Sequence, residues 1–326
     1  MRIVIFCHVE PGTSRDNEIH FHPRYLEGIS IALPRIVEFA DESGLAMTFA
    51  MTPTALKEND TDLGGHEVGV HLHPQDTQLR DTLGGEVTLS SDCLMHYSAR
   101  DQATLIEATK RFFEQEEGRS PRTFVAGNWS ENNTTLKLLA GAGFSFDGSP
   151  LPNHSSGCAD WSRIPRLTQP YAPSGEDYQA RGAMDYLYIP VLQGLWGHYV
   201  TPEIIHLLGA SYFKAALKEA VVGGAEVAHI FFHSPMATDP RFLMEFKAVV
   251  EYAHDQLGVQ SVLPSACRAS GVASARPYPP AYLARLNWRL AKGFLGRGEL
   301  GRRIMGLGAS DAANVASPAK DEESSD

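Results

Sequence analysis

Short apolar runs alternate with helix-periodic stretches along most of this chain, and few folds accommodate that order. Ile3–Cys7 is a continuous apolar run, as expected of a parallel strand buried on both faces. Leu45–Met51, Glu67–His71, Thr123–Ala126, Phe144–Asp147, Tyr186–Val191, Val227–Phe232 and Val259–Leu263 also read as strands. Helical periodicity lies between them. Helices are predicted from Pro34 to Gly44, from Ser98 to Gly118, over Asn132–Gly141, from Thr201 to Val222 and over Arg241–His254. A strand-helix alternation of this kind predicts an α/β protein with a parallel sheet, open or closed into a barrel. Three stretches show no regular pattern: the polar loop 11–23 with His20 and His22, residues 76–99, and the Pro-, Ser- and Gly-rich segment 149–183. A loop as long as the last usually covers a site.

In parallel α/β folds the ligand sites gather at the C-terminal strand ends. His8, Glu10, His71, His73, Asp147 and His233 all fall at or just past such ends. The segment Gly65-His66-Glu67-Val68-Gly69-Val70-His71-Leu72-His73-Pro74 is the most specific of these. Side chains two apart on a strand point the same way, so His71 and His73 present two imidazoles to one point. With Glu10 beside them they make a carboxylate and two-histidine ligand set for a divalent transition metal. Glu10 at a buried strand end needs a cation or partner, because an unpaired buried carboxylate is costly. His66 and His229 read as structural residues, His20 and His22 as solvated or pocket-lining. Asp147 reads as a pocket residue or a helix cap. Trp129, Trp161 and Trp196 could stack on sugar rings, although aromatic residues more often fill cores.

A net charge of −11 excludes a general nucleic-acid binder. No apolar run is long enough to cross a bilayer, and the first residues do not form a secretory signal. Cys7, Cys93, Cys158 and Cys267 are widely spread without a CxxC pair, which predicts reduced thiols and a cytoplasmic protein. Residues 271–308 form a basic extension in which Leu286, Leu290 and Phe294 share a stretch with Arg285, Arg289 and Lys292. Such a helix either docks on its own barrel or meets a membrane surface through residues 280–305. Residues 309–326 carry too little apolar content to fold.

The order of these segments resembles the polysaccharide deacetylases, carbohydrate esterase family 4. Gly65–Pro74 is similar to the run around that family's metal histidines. Phe124-Val125-Ala126-Gly127-Asn128-Trp129 resembles its arginine-containing segment, and Phe144–Ser149 its aspartate strand. Phe231–Pro235 resembles the segment with its late histidine. The resemblance spans roughly residues 1–265 and implies an irregular (β/α) barrel of about seven parallel strands over residues 1–270. It implies hydrolysis of an N-acetyl or other acyl group from an amino sugar, with Zn²⁺ on Glu10, His71 and His73. It implies His233 as the proton donor, with His8 and Asp147 as further catalytic residues. Three positions depart from the pattern: His8 stands for the base aspartate, Val125 for the arginine, and Gln75 where a second histidine is usual. A non-catalytic barrel binding a glycan or protein, and another metal amidohydrolase, are the alternative readings.

Overall fold

The computed structural model describes residues 1–279 apart from 16–17 and 195–197, together with 281 and 284. The long strands are β1 (Arg2–Val9), β4 (Thr48–Met51), β5 (Glu67–Leu72), β6 (Thr123–Ala126) and β9 (Val227–His233). Shorter ones are β7 (Phe146–Asp147), β8 (Leu187–Tyr188) and β10 (Gln260–Ser261). All eight pair parallel in one sheet, and seven follow the order β9-β1-β4-β5-β6-β7-β8. An isolated parallel bridge between Val191 and His229 brings the two ends of that order together. This is the irregular barrel of about seven strands that the sequence predicts. β10 flanks only the start of β1.

Continuous apolar runs made these strands because both faces are covered. From Ile3 onward every residue of β1 is buried, and every residue of β4 and β6 is buried too. The barrel helices are α2 (Ala32–Glu42), α5 (Ala99–Glu117), α6 (Asn133–Gly141), α8 (Ala210–Val222) and α9 (Pro240–Leu257). Each buries one side: α5, for example, turns Leu105, Ile106, Thr109, Phe112 and Phe113 inward. Ser98 caps α5 through the Asp101 amide, and Gly118 at φ 67° closes it, as the sequence signals predict. The predicted helix over 201–222 is broken at Gly209 (φ 79°), which separates α7 (Ile205–Leu208) from α8.

Several elements were not predicted. The polar loop 11–23 contains a hairpin, β2 (Gly12–Arg15) and β3 (Glu18–Phe21). A short helix, α1 (Glu27–Ser30), follows it. The irregular stretch after Pro74 contains α4 (Thr77–Leu83), capped by Asp76, whereas α3 (Pro53–Lys57) lies where the sequence between Pro53 and Gly64 reads as a short, weak helical stretch. The first compact unit runs from Met1 to Tyr278, past the expected boundary at 270. Residues 274–276 bond to the barrel through Leu167 and Gly223. The basic helix and acidic tail expected beyond residue 280, and Trp196, lie outside the described residues, save 281 and 284.

Candidate metal centre

Glu10, His71 and His73 converge. Glu10 follows β1, while His71 and His73 leave β5 two residues apart and on one side, as the strand period requires. The Glu10 oxygens lie 4.0 Å from His71 Nε2 and 3.8 Å from His73 Nε2. The two Nε2 atoms are 3.2 Å apart.

The tautomers follow from the partners of the other ring nitrogens. His71 Nδ1 faces the Val125 carbonyl at 3.2 Å, and His73 Nδ1 faces Asp92 Oδ2 at 2.6 Å. A carbonyl and a carboxylate only accept, so each Nδ1 donates and each neutral ring turns an Nε2 lone pair toward the other. Two lone pairs facing each other beside a carboxylate are complementary to a cation. Tetrahedral Zn²⁺ with Zn–N bonds of about 2.05 Å holds its nitrogens about 3.3 Å apart, close to the spacing here. The residues present therefore fit the metal.

Val125 stands in place of the resembled family's arginine, and its backbone carbonyl orients His71 while its side chain is fully buried. Gln75 stays out of the ligand group, and its amide donates to Asp92 Oδ1. Asp92 thus holds His73, the Gln75 amide and the Asn128 side-chain amide at once. Gly127 gives the His73 ring its room, because a Cβ there would come within 2.7 Å of three ring atoms.

His233 ends β9 and is paired in register with His8 of β1. Its Nε2 is 3.6 Å from Glu10 Oε1, while its backbone amide and Nδ1 both donate to Glu203 Oε1, at 2.6 and 2.8 Å. Burial opposes the imidazolium, but Glu203, as charge and as acceptor, and Glu10 push His233 up to about 9. Burial works against a charged His73 as well, and Asp92 more than offsets it, leaving that group raised. His71 lies well below its ordinary value because of burial and the neighbouring His73 and His233. Burial raises Glu10 against the pull of its histidines.

His8 is buried in the barrel centre. Its ring stacks on His71 at 4.5 Å and on Phe231 at 5.2 Å, and meets His233 edge-on at 5.0 Å. Neither ring nitrogen has a hydrogen-bond partner among the described residues. Burial first, and then His71, His233, His229 and His73, keep it neutral by pulling it well below the ordinary range.

Asp147 belongs to a different layer. It is fully buried and accepts from Tyr186 Oη at 2.7 Å and the Ser149 amide at 2.7 Å. Beside it, buried Glu131 accepts from Tyr188 Oη at 2.8 Å. Burial raises both carboxyl groups. Asp147 caps no helix.

Other expectations meet a mixed outcome. His66 is buried beside Asp41 and the Met47 amide, and His229 donates from Nδ1 to the Ile189 carbonyl at 2.7 Å, both structural. Of the loop histidines, His22 lines the cleft and His20 does not. Trp161 is a core residue whose indole donates to the Trp129 carbonyl, and Trp129 packs on His8 and Phe231.

The expected thiols need correction at two positions. Cys93 and Cys158 are joined in a disulfide with Cα atoms 5.1 Å apart, whereas Cys7 and Cys267 are free and buried. The long 149–183 segment folds back onto the loop after α4, where His96 also meets the Gly157 carbonyl at 2.8 Å. A pairing across 65 residues leaves no mark in local spacing.

Sequence reasoning missed Asp92 and Glu203. Asp92 lies in a stretch without periodicity, and Glu203 carries the ordinary signature of a helix start after Thr201-Pro202. No helix among the described residues is long and apolar enough to cross a membrane.

No protein-family model matches the sequence, and no curated protein matches it significantly. Solved structures do match by shape. A protein from Mycobacterium smegmatis described as a polysaccharide deacetylase superposes with a TM-score of 0.53 at 14% identity, covering 85% of this chain and 94% of that one. PuuE allantoinase gives 0.53 at 13% identity over 81% of this chain and 87% of its own. A Parabacteroides distasonis protein described as a glycoside hydrolase/deacetylase gives 0.54 at 17% identity over 80% and 68%. The chain carries a divergent form of the polysaccharide-deacetylase fold.

Proposed function

We propose that this protein is a metal-dependent hydrolase that removes an N-acetyl group from an amino sugar or glycan precursor. The observation that carries the reading is the pair of Nε2 atoms 3.2 Å apart beside Glu10, each ring fixed by an acceptor at Nδ1. Glu10, His71 and His73 hold the metal, most fittingly Zn²⁺. When bound, it supplies Lewis acidity for the scissile carbonyl and a lowered pKa for water.

The chain's own residues move the protons. His233 enters charged, because Glu203 stabilises its imidazolium, and gives a proton to the leaving amine from Nε2. His8, with its ring beside His71 at 4.5 Å and His233 at 5.0 Å, stands in the place of a carboxylate base and takes the proton that water gives up. Asp147 is a positioning residue. It accepts the Ser149 amide, Ser149 Oγ accepts the Ala126 amide, and Ala126 lies between the Val125 carbonyl and Gly127 that set the two ligand rings.

The disulfide favours an oxidising compartment over the cytoplasm expected from sequence. A nucleic-acid partner is disfavoured by the charge of −11.

The test is metal content together with acetate release from N-acetylglucosamine oligomers, on the wild type and on the His71→Ala/His73→Ala variant. About one zinc per chain, lost with acetate release in the variant, upholds the reading. No metal uptake overturns it. Another amide hydrolysis is the second reading, favoured by the shared fold of an allantoinase, and turnover of allantoin without acetate release selects it. Metal uptake with neither activity selects a glycan- or protein-binding barrel, which the histidine at the base position favours.

A further inference from the structure

The proposed proton transfers leave Phe21 without a role. This side chain is 51% exposed, yet its ring is held edge-on to His233 at 5.3 Å. Single exposed apolar residues are ordinary. A single exposed ring fixed in place beside a reacting histidine is not.

The fixing begins two residues after Glu10. β2 and β3 pair Gly12 with Phe21, so the hairpin register sets the ring relative to the metal ligand. The hairpin closes on the turn that follows His233. The Ser14 amide donates to Thr238 Oγ1 at 3.0 Å, and a Cβ on Gly12 would come within 2.8 Å of Pro235 Cγ. There is no room for the hairpin to swing inward.

Phe21 forms part of a cleft of about 340 Å³ that also reaches Glu10 and His73. The two sides of this cleft differ in chemistry. The hairpin side, toward β9, contributes Pro11, Phe21, His22 and Pro23, three of them apolar. The side at the ends of β4 and β5 contributes Thr54, Gln75 and Asp76. A pyranose has the same division, with C–H groups on a ring face and hydroxyls around the rim. An exposed aromatic ring accepts the former and a row of polar side chains the latter.

We propose that Phe21 is the stacking platform for the pyranose ring that carries the acetamido group, and that it selects a sugar over an acyclic amide. The inference rests on the hydrolase reading and names the residue that holds the sugar ring in that same site. The ring packs against Phe21, its hydroxyls face Thr54, Gln75 and Asp76, and its acetamido group extends toward Glu10 and His73.

The test compares Phe21→Leu and Phe21→Trp with the wild type in the zinc-loaded full chain. Phe21→Leu keeps bulk and loses the π face, so KM for N-acetylglucosamine oligomers rises about five- to tenfold while kcat stays within about twofold. Phe21→Trp restores KM to within about twofold of the wild type, and turnover of N-ethylacetamide moves by less than about twofold in both. Unchanged KM in Phe21→Leu, or a loss confined to kcat, overturns the platform. Calorimetric binding of the oligomers is measured in parallel. If the wild type releases no acetate the hydrolase reading fails, and the platform is then decided by binding alone. Oligomer affinity weakened five- to tenfold in Phe21→Leu upholds it, and equal affinity or no binding to the wild type overturns it.

Discussion

Gly127→Ala tests the metal centre through a residue that neither binds metal nor moves a proton. The added Cβ would lie 2.7 Å from Cγ, Cδ2 and Cε1 of His73, whereas ordinary contacts begin near 3.4 Å. The imidazole must therefore shift by roughly 0.7–1 Å, and it is not free to do so, because Asp92 holds Nδ1 at 2.6 Å. Metal–ligand distances tolerate about 0.2 Å, so a shift several times larger takes Nε2 out of bonding range. Disturbing a ligand's support in this way costs about 10–100-fold in metal affinity. The overpacking itself costs about 1–3 kcal/mol of stability. Zinc affinity is measured by competition with a chromophoric chelator, and folding by circular dichroism on the same samples. Gly141→Ala is the control, since a Cβ at that position meets nothing within 4 Å. Zinc affinity in Gly127→Ala within twofold of the wild type would refute the placement of His73 as a ligand.

Four further outcomes follow from the same geometry. Glu203→Gln lowers the pKa of His233, which Glu203 and Glu10 hold up to about 9 against burial. The proton donor is present below its pKa, so the alkaline limb of kcat moves to lower pH in the variant than in the wild type. The raised value also stabilises the metal-free fold fully below an ordinary imidazole pKa of about 6.5, and that stability is lost as pH rises through about 9. Thermal scans of the metal-free wild type and Glu203→Gln should diverge at low pH and converge at high pH. Asp92→Asn frees the His73 ring from a charged acceptor and weakens zinc binding by about 10–100-fold, read by chelator competition. Cys93→Ser lowers stability by about 2–4 kcal/mol without changing zinc stoichiometry, and reductant reproduces the loss in the wild type. Chelation by EDTA lowers the melting temperature of the wild type but not of His71→Ala/His73→Ala, checked by calorimetry.

The barrel was readable because β1, β4, β6 and β9 are buried on both faces, which leaves no choice but continuous apolar runs. The His71/His73 pair was readable for a related reason: a strand period of two fixes side-chain direction without knowledge of the tertiary fold. The β2–β3 hairpin was hidden because Gly-Thr-Ser-Arg carries no apolar residue and the alternation in Glu-Ile-His-Phe is only four residues long, and the hairpin is held by packing on the Ser234–Thr238 turn. Asp92 and Cys93 were hidden for the same reason: long-range partners fix them, His73 and Cys158, with no local pattern. Val125 looked like a lost arginine, but its carbonyl is what His71 uses, and a backbone contact does not depend on side-chain type.

The pairing of β1 with β9 has a consequence for how the protein is made. β1 carries His8 and delivers Glu10, and its register sets Arg2 against Val227 and His8 against His233. During synthesis β1 therefore emerges more than two hundred residues before β9 and keeps one hydrogen-bonding edge open until then. A chain interrupted before residue 227 has β5 and its two histidines but no His233 and no cover for the far side of β1. The proposed proton donor is then the last part of the site to arrive, after the metal ligands, and a nascent chain must protect that apolar edge by other means, such as a chaperone, until β9 arrives.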